Sequence, residues 1–178
     1  MISDDELIQA CKDNNRSAQK MLFEKYANQM MAVCMRYCKN QEDARDLLQD
    51  GFYKVLTNIS SFKGGSRIDT WMTRIFINLA LNKLRHGRNK FDHQEFDAKH
   101  EQIITEEEIK NPRYEMEPNQ VLEALKELPE IYKIVINMYA IDNMSHKEIS
   151  KQLGITEGSS KSRLSRARVL LNDILKLK

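Results

Sequence analysis

Proline and glycine are scarce, three and six among 178 residues. A chain with so few breakers does not resemble a fold of many short strands and tight turns. Apolar residues recur at spacings of three and four rather than alternating, which predicts an all-α protein. Acidic and basic residues nearly cancel, 26 against 28, so total charge names no partner. Cysteines number three. An odd set, with the acidic, polar segment MISDDELIQA where a secretory leader would stand, argues against a disulfide scaffold and for a reducing cytoplasm. No apolar run approaches membrane-spanning length.

Chemistry is equally thin. The four histidines, His86, His93, His100 and His146, sit mostly in or beside an acidic central stretch. No paired carboxylates, activated nucleophile or phosphate-cradling loop accompany them, so neither catalysis, a cofactor nor a small-molecule substrate is expected. Cys34 and Cys38 lie one helical turn apart, but no second Cys/His pair completes a tetrahedral metal set. Packing inside a helical core is their expected role.

What the chain does have is segregated charge. From Phe62 to Lys90 seven basic residues face one acid; from Phe91 to Pro118 three bases face nine acids; from Met144 to Lys178 eight bases face three acids. Two basic blocks around an acidic one imply two anion-binding surfaces joined by a segment that avoids the same anion. Helices are predicted for Ser3–Asp13, Ser17–Lys39, Gln41–Ile59 and Asp69–His86, with FKGGSRID as the loop before the last. The acidic stretch reads as a linker with one helical turn around Ile103–Ile109. Periodicity resumes at Val121. Two small helical domains follow, 1–88 and 119–178, joined by residues 89–118.

The segment SHKEISKQLGITEGSSKSRLSRARVLL carries the most specific local signal. Ser145 and Glu148 form a capping box, Gly154 suits a left-handed helix end, and Thr156 caps the next helix. This is the order of a helix-turn-helix. On its second helix Leu164, Ala167, Leu171 and Ile174 share one face. Ser159, Ser162, Arg163 and Arg166 fall largely opposite, flanked by Lys161 and Arg168, a pattern suited to a DNA groove. Earlier, Ile68, Met72, Ile75, Phe76 and Leu79 form the predicted apolar face of the helix after the Gly-Gly loop. Trp71, Arg74, Asn78, Asn82 and Arg85 lie across from it. That stripe suits unpaired nucleic acid, although Trp71 equally suits the edge of a core. The third helix turns Ala44, Leu47, Leu48, Phe52, Val55, Leu56 and Ile59 inward. It turns Asp46, Gln49, Asp50 and Tyr53 outward. On residues alone, a stand-alone helix-turn-helix regulator with an N-terminal sensing or dimerisation domain stays open. So does a helical interaction protein.

Taken in order, DARDLLQDGFYKVLTNISSFKGGSRIDTWMTRIFINLALNKLRH resembles the second region of bacterial RNA polymerase sigma factors. ELPEIYKIVINMYAIDNMSHKEISKQLGITEGSSKSRLSRARVLL resembles their fourth. With only these two regions and a short linker, the chain is similar to the extracytoplasmic-function (ECF) type. The resemblance implies that Asp46, Leu47, Gln49 and Asp50 bind the clamp of the largest subunit of core RNA polymerase. It implies that Lys63 and Ser66 lie at a flipped-base pocket of the minus-ten element, with Trp71, Arg74, Asn78, Asn82 and Arg85 near the same strand. The minus-thirty-five element falls to Ser159, Lys161, Ser162, Ser165 and Arg166, with Lys147 and Arg163 beside them. The acidic linker would thread the polymerase's RNA path, and an anti-sigma factor, often membrane-bound, is the expected inhibitor.

Overall fold

A computed structural model describes residues 2–87 and 118–176. The expected linker and its helical turn therefore lie outside the described residues, as does the side chain of Arg85. Among the described residues every regular element is helical. The chain divides into two compact units, Met1–His93 and Gln94–Lys178.

The first unit begins with α1 (Asp4–Lys12), α2 (Arg16–Tyr37) and α3 (Gln41–Asn58). A short 3-10 turn, Ile59–Ser61, leads to the Gly-Gly loop and then to α4 (Ile68–Gly87). Each early start is set by a side-chain cap. Ser3 and Glu6 form the reciprocal capping box of α1, Asn15 accepts from the Ala18 N–H, and Asn40 accepts from the Asp43 N–H. Helices α2, α3 and α4 pack against one another, with α1 laid on α2 and the 3-10 turn. Leu22, Met30 and Cys34 meet Leu47, Val55, Met72, Phe76 and Ile77 in the core, all fully buried. Phe52 joins the helices through its rings, 4.7 Å from Phe23 and 5.6 Å from Phe76. Gly51 is what lets α4 come so close. A Cβ there would overlap the Phe76 ring.

One expected face is rotated. Ile75 and Leu79 are only half-buried, whereas Ile77, Ala80 and Leu81 are buried. The reason is that α4 packs on two helices, so its buried arc widens past the single stripe of an amphipathic surface helix.

The second unit comprises α5 (Pro118–Glu127), α6 (Glu130–Ile136), a π turn (Asn137–Ile141), α7 (His146–Leu153) and α8 (Glu157–Lys176). Helix α8 packs against α5, α6 and α7, so the last helix is also the hub of the unit. Ala124, Leu128, Ile134, Val135, Met138, Met144, Ile149, Leu164 and Ala167 are buried around it. Main-chain bonds from Asp142 to Asn137 and from Met144 to Met138, both 2.9 Å, close the π turn and aim the chain at α7.

Candidate nucleic-acid and polymerase interfaces

The helix-turn-helix is built as its sequence predicts. The Ser145 hydroxyl accepts from the Glu148 N–H at 3.3 Å, and the Glu148 carboxylate accepts from the Ser145 N–H at 2.9 Å. Gly154 adopts φ 68° and ends α7, donating to the Ser150 carbonyl. The Thr156 hydroxyl accepts from the Ser159 N–H at 3.0 Å and fixes the start of α8. These caps leave little freedom in the angle between the two helices.

On α8, Lys161, Ser162 and Arg166 are exposed, and Lys147 is exposed on α7. Ser159 is half-buried and accepts from Thr156 at 3.0 Å, so its hydroxyl is engaged within the turn. Ser165 is half-buried with its hydroxyl oxygen closed from solvent. Arg163 is set apart from the stripe. It is half-buried, and burial pulls its pKa below the usual value, with Tyr132 of α6 acting against that pull. The exposed candidates that can approach a groove without moving are therefore Lys161, Ser162 and Arg166 on α8 and Lys147 on α7.

In the first unit the basic helix and its loop form a second surface. Arg74, Asn78 and Asn82 are exposed at four-residue intervals along α4, and Lys63 is exposed in the loop. Trp71 is half-buried, its ring 5.4 Å from that of buried Phe62. It is thus a wall of the core that reaches the surface. Ser66 is half-buried and donates to the Arg67 carbonyl at 3.3 Å. Arg67 grips Asp69 with two bonds, 3.2 and 2.9 Å. Burial would raise the Asp69 pKa, but Arg67 and the Thr70 N–H outweigh it and hold the carboxyl below its ordinary value.

The acidic stripe of α3 stands out from the same unit. Asp46, Gln49, Asp50 and Tyr53 are exposed, Tyr53 at 71%. Asp50 pairs with Lys83 of α4 at 2.6 Å, an exposed pair worth little to stability. Leu47 lies on the inward face of α3, as its spacing predicts. It is fully buried, so it can support that surface only from behind. Two connections were not legible in sequence: Lys12 of α1 donates to the Phe62 carbonyl at 2.9 Å, and His146 lies 2.9 Å from the Ser160 hydroxyl. The partners are 50 and 14 positions apart, and no local pattern marks such pairs.

Among the described residues no group of three or more His, Cys, Asp or Glu could hold a metal ion. Burial, assisted by neighbouring Cys38, pushes the Cys34 thiol up to about 12, so it stays protonated at neutral pH. No described helix is long and apolar enough to cross a membrane.

Comparison with known proteins places both units in one family. Residues 22–90 match the family model Sigma-70 region 2, and residues 119–171 match Sigma-70, region 4. Together the two matches cover more than two thirds of the chain. The chain is 26% identical over 180 residues to the ECF RNA polymerase sigma-E factor of Haemophilus influenzae, covering 97% of this chain and 95% of that protein. The ECF RNA polymerase sigma-E factor of Escherichia coli K12 is similar at 26%, with 97% and 94% covered. Among solved structures, RpoE in complex with the anti-sigma factor NepR from Bartonella quintana aligns with a TM-score of 0.58 at 23% identity, covering 89% of this chain and 97% of that one. CnrH in complex with the cytosolic domain of CnrY aligns at 0.57 and 20%, covering 97% and 96%. At those identities the structural likeness shows the fold.

Proposed function

This chain belongs to the sigma-70 family of RNA polymerase sigma factors, in its ECF branch, and from that premise we propose how its residues divide the work of promoter-specific initiation. Residues 1–88 hold the polymerase and the minus-ten element, 89–118 connect, and 119–178 read the minus-thirty-five element. The protein adds no catalytic step of its own; it directs the chemistry of core polymerase, and its place is the cytoplasm, beside the DNA.

Asp46, Gln49 and Asp50, braced by buried Leu47, dock on the coiled coil of the largest-subunit clamp. Carboxylates suit that task because exposed charge complementarity raises the association rate and fixes orientation. Lys63 and Ser66 receive an unstacked base of the non-template strand, while Arg74, Asn78, Asn82 and Arg85 track that strand along α4. Trp71 offers the pocket a flat apolar wall. Helix α8 enters the major groove, where Arg166 reads a base edge and Lys161 and Ser162 hold the approach. Ser159 and Arg163 serve mainly by keeping α8 in place, and Ser165 marks the depth to which its serine side sits in the unit.

A single observation carries this reading: two cationic surfaces lie on separate helical units that match sigma regions 2 and 4 in that order. A stand-alone regulator would leave the first unit without a task. By analogy with the solved complexes of similar proteins, an anti-sigma factor is the proposed inhibitor. Run-off transcription with core polymerase and a genomic fragment library tests the activity and reports the promoter in one experiment. If the purified chain neither associates with core nor produces a discrete start site, the reading is wrong.

A further inference from the structure

We propose that Lys12, the last residue of α1, is a positioning residue that pre-forms the base-capturing loop Lys63–Ser66. The proposal rests on the minus-ten assignment above. The Lys12 ammonium donates to the Phe62 carbonyl at 2.9 Å. Phe62 is the last residue before the loop. Its N–H is already bound to the Ile59 carbonyl at 3.1 Å, its side chain is buried, and its ring lies 5.4 Å from Trp71. Lys12 thus completes the anchoring of the main chain where the loop departs.

The far end is tied as firmly. Arg67 forks onto Asp69, whose side chain is only 14% exposed, and the Trp71 N–H donates to the Arg67 carbonyl at 3.1 Å. Between these anchors Lys63, Gly64 and Gly65 are exposed. Gly64 sits at φ 75°, and a Cβ on either glycine would meet nothing within 4 Å. The result is a short arch with fixed ends and an open span. Paired glycines otherwise sample many conformations, and ordering them on binding costs affinity. Fixing both ends removes part of that cost before the strand arrives.

Helix α1 has its own attachment to the core. Leu7, Ile8 and Cys11 are buried, and Asp4 bonds to Lys25 at 2.5 Å and to Tyr26 at 3.1 Å. Losing the Lys12 bond should therefore loosen the loop rather than release the helix.

The test uses the full chain assembled with core polymerase. The probe is a single-stranded oligonucleotide carrying the non-template minus-ten sequence of a promoter recovered by run-off transcription. Lys12→Met keeps the aliphatic stem and removes the donor. It should weaken oligonucleotide binding about fivefold, with affinity for core and the thermal midpoint unchanged, and Lys12→Arg should restore most of the loss. Lys63→Ala serves as the internal reference. If Lys63→Ala weakens binding and Lys12→Met does not, the positioning role is refuted while the minus-ten assignment stands. If Lys12→Met lowers core affinity, thermal midpoint and oligonucleotide affinity in step, its role is merely structural and the proposal also fails. If neither variant changes single-strand binding, the minus-ten assignment itself falls.

Discussion

His146 shows how one side chain holds the C-terminal motif together. Its Nδ1 is 2.9 Å from the hydroxyl of fully buried Ser160, so it links the first turn of α7 to α8. Its ring stacks on Tyr139 at 4.7 Å, and Arg168 stands over that same tyrosine at 5.8 Å. Burial, then the charges of Lys161 and Arg168, hold its pKa below the ordinary 6.5, with Glu157 acting weakly the other way. A base depressed in the folded state is protonated more readily when unfolded. Its stabilising contribution is therefore complete above about 6.5 and is lost as the pH falls below that value. The thermal midpoint should therefore fall between about pH 7.5 and about pH 5.5. In His146→Gln, which retains a hydrogen-bonding group without titrating, the drop should shrink; an equal slope in both proteins would remove His146 as its source. Sequence alone marks His146 only as the residue after an N-cap. Ser160 there looks like any member of a serine cluster, because its burial depends on how deeply α8 packs.

At the scale of the element, α8 does two jobs that the helical wheel places on opposite faces but the structure interleaves. Leu164 and Ala167 are buried as the periodicity predicts, yet Arg163 also turns toward the unit, beside Tyr132. The two arginines should therefore separate in experiment. Arg166→Ala should weaken duplex binding by about 1–3 kcal/mol at one promoter element and relax its sequence preference, with little change in melting. Arg163→Ala should instead destabilise the unit by about 1 kcal/mol through lost packing of its stem, seen as a lower thermal midpoint, and affect DNA chiefly through that. Binding isotherms on matched and scrambled duplexes, beside melting curves, distinguish them; equal losses on both duplexes for Arg166→Ala would make it a phosphate contact. The same element explains how far sequence reading reaches. Caps and the left-handed Gly154 are local, dictated by residues within one turn, and they were legible. Arg163 and the rotated face of α4 depend on neighbours distant in sequence. Gly51 is the clearest such case, an inconspicuous helical glycine whose missing side chain makes room for Phe76.

Across the whole molecule, the two surfaces must serve one duplex through the acidic segment between them. Elements roughly 17 base pairs apart are separated by about 60 Å along the helix axis, and some 30 extended residues reach up to about 100 Å. Length is therefore sufficient, and length alone would be met by any polar sequence. The charge is the less expected property, nine acids against three bases from Phe91 to Pro118, between two basic blocks. Such a segment would be repelled by DNA held by its flanks, and under the proposed function it would favour a cationic path through the polymerase. Changing Glu106, Glu107 and Glu108 to glutamine keeps length and polarity while removing three charges. Run-off initiation by the reconstituted enzyme should then fall by about threefold or more, while the affinity of the free chain for a minus-thirty-five duplex stays the same or rises slightly. Unchanged initiation would show that the segment acts as a tether only. A fall in both measurements would place the lesion in the DNA-reading unit, since a charge acting within the polymerase has no means of weakening a complex formed without it.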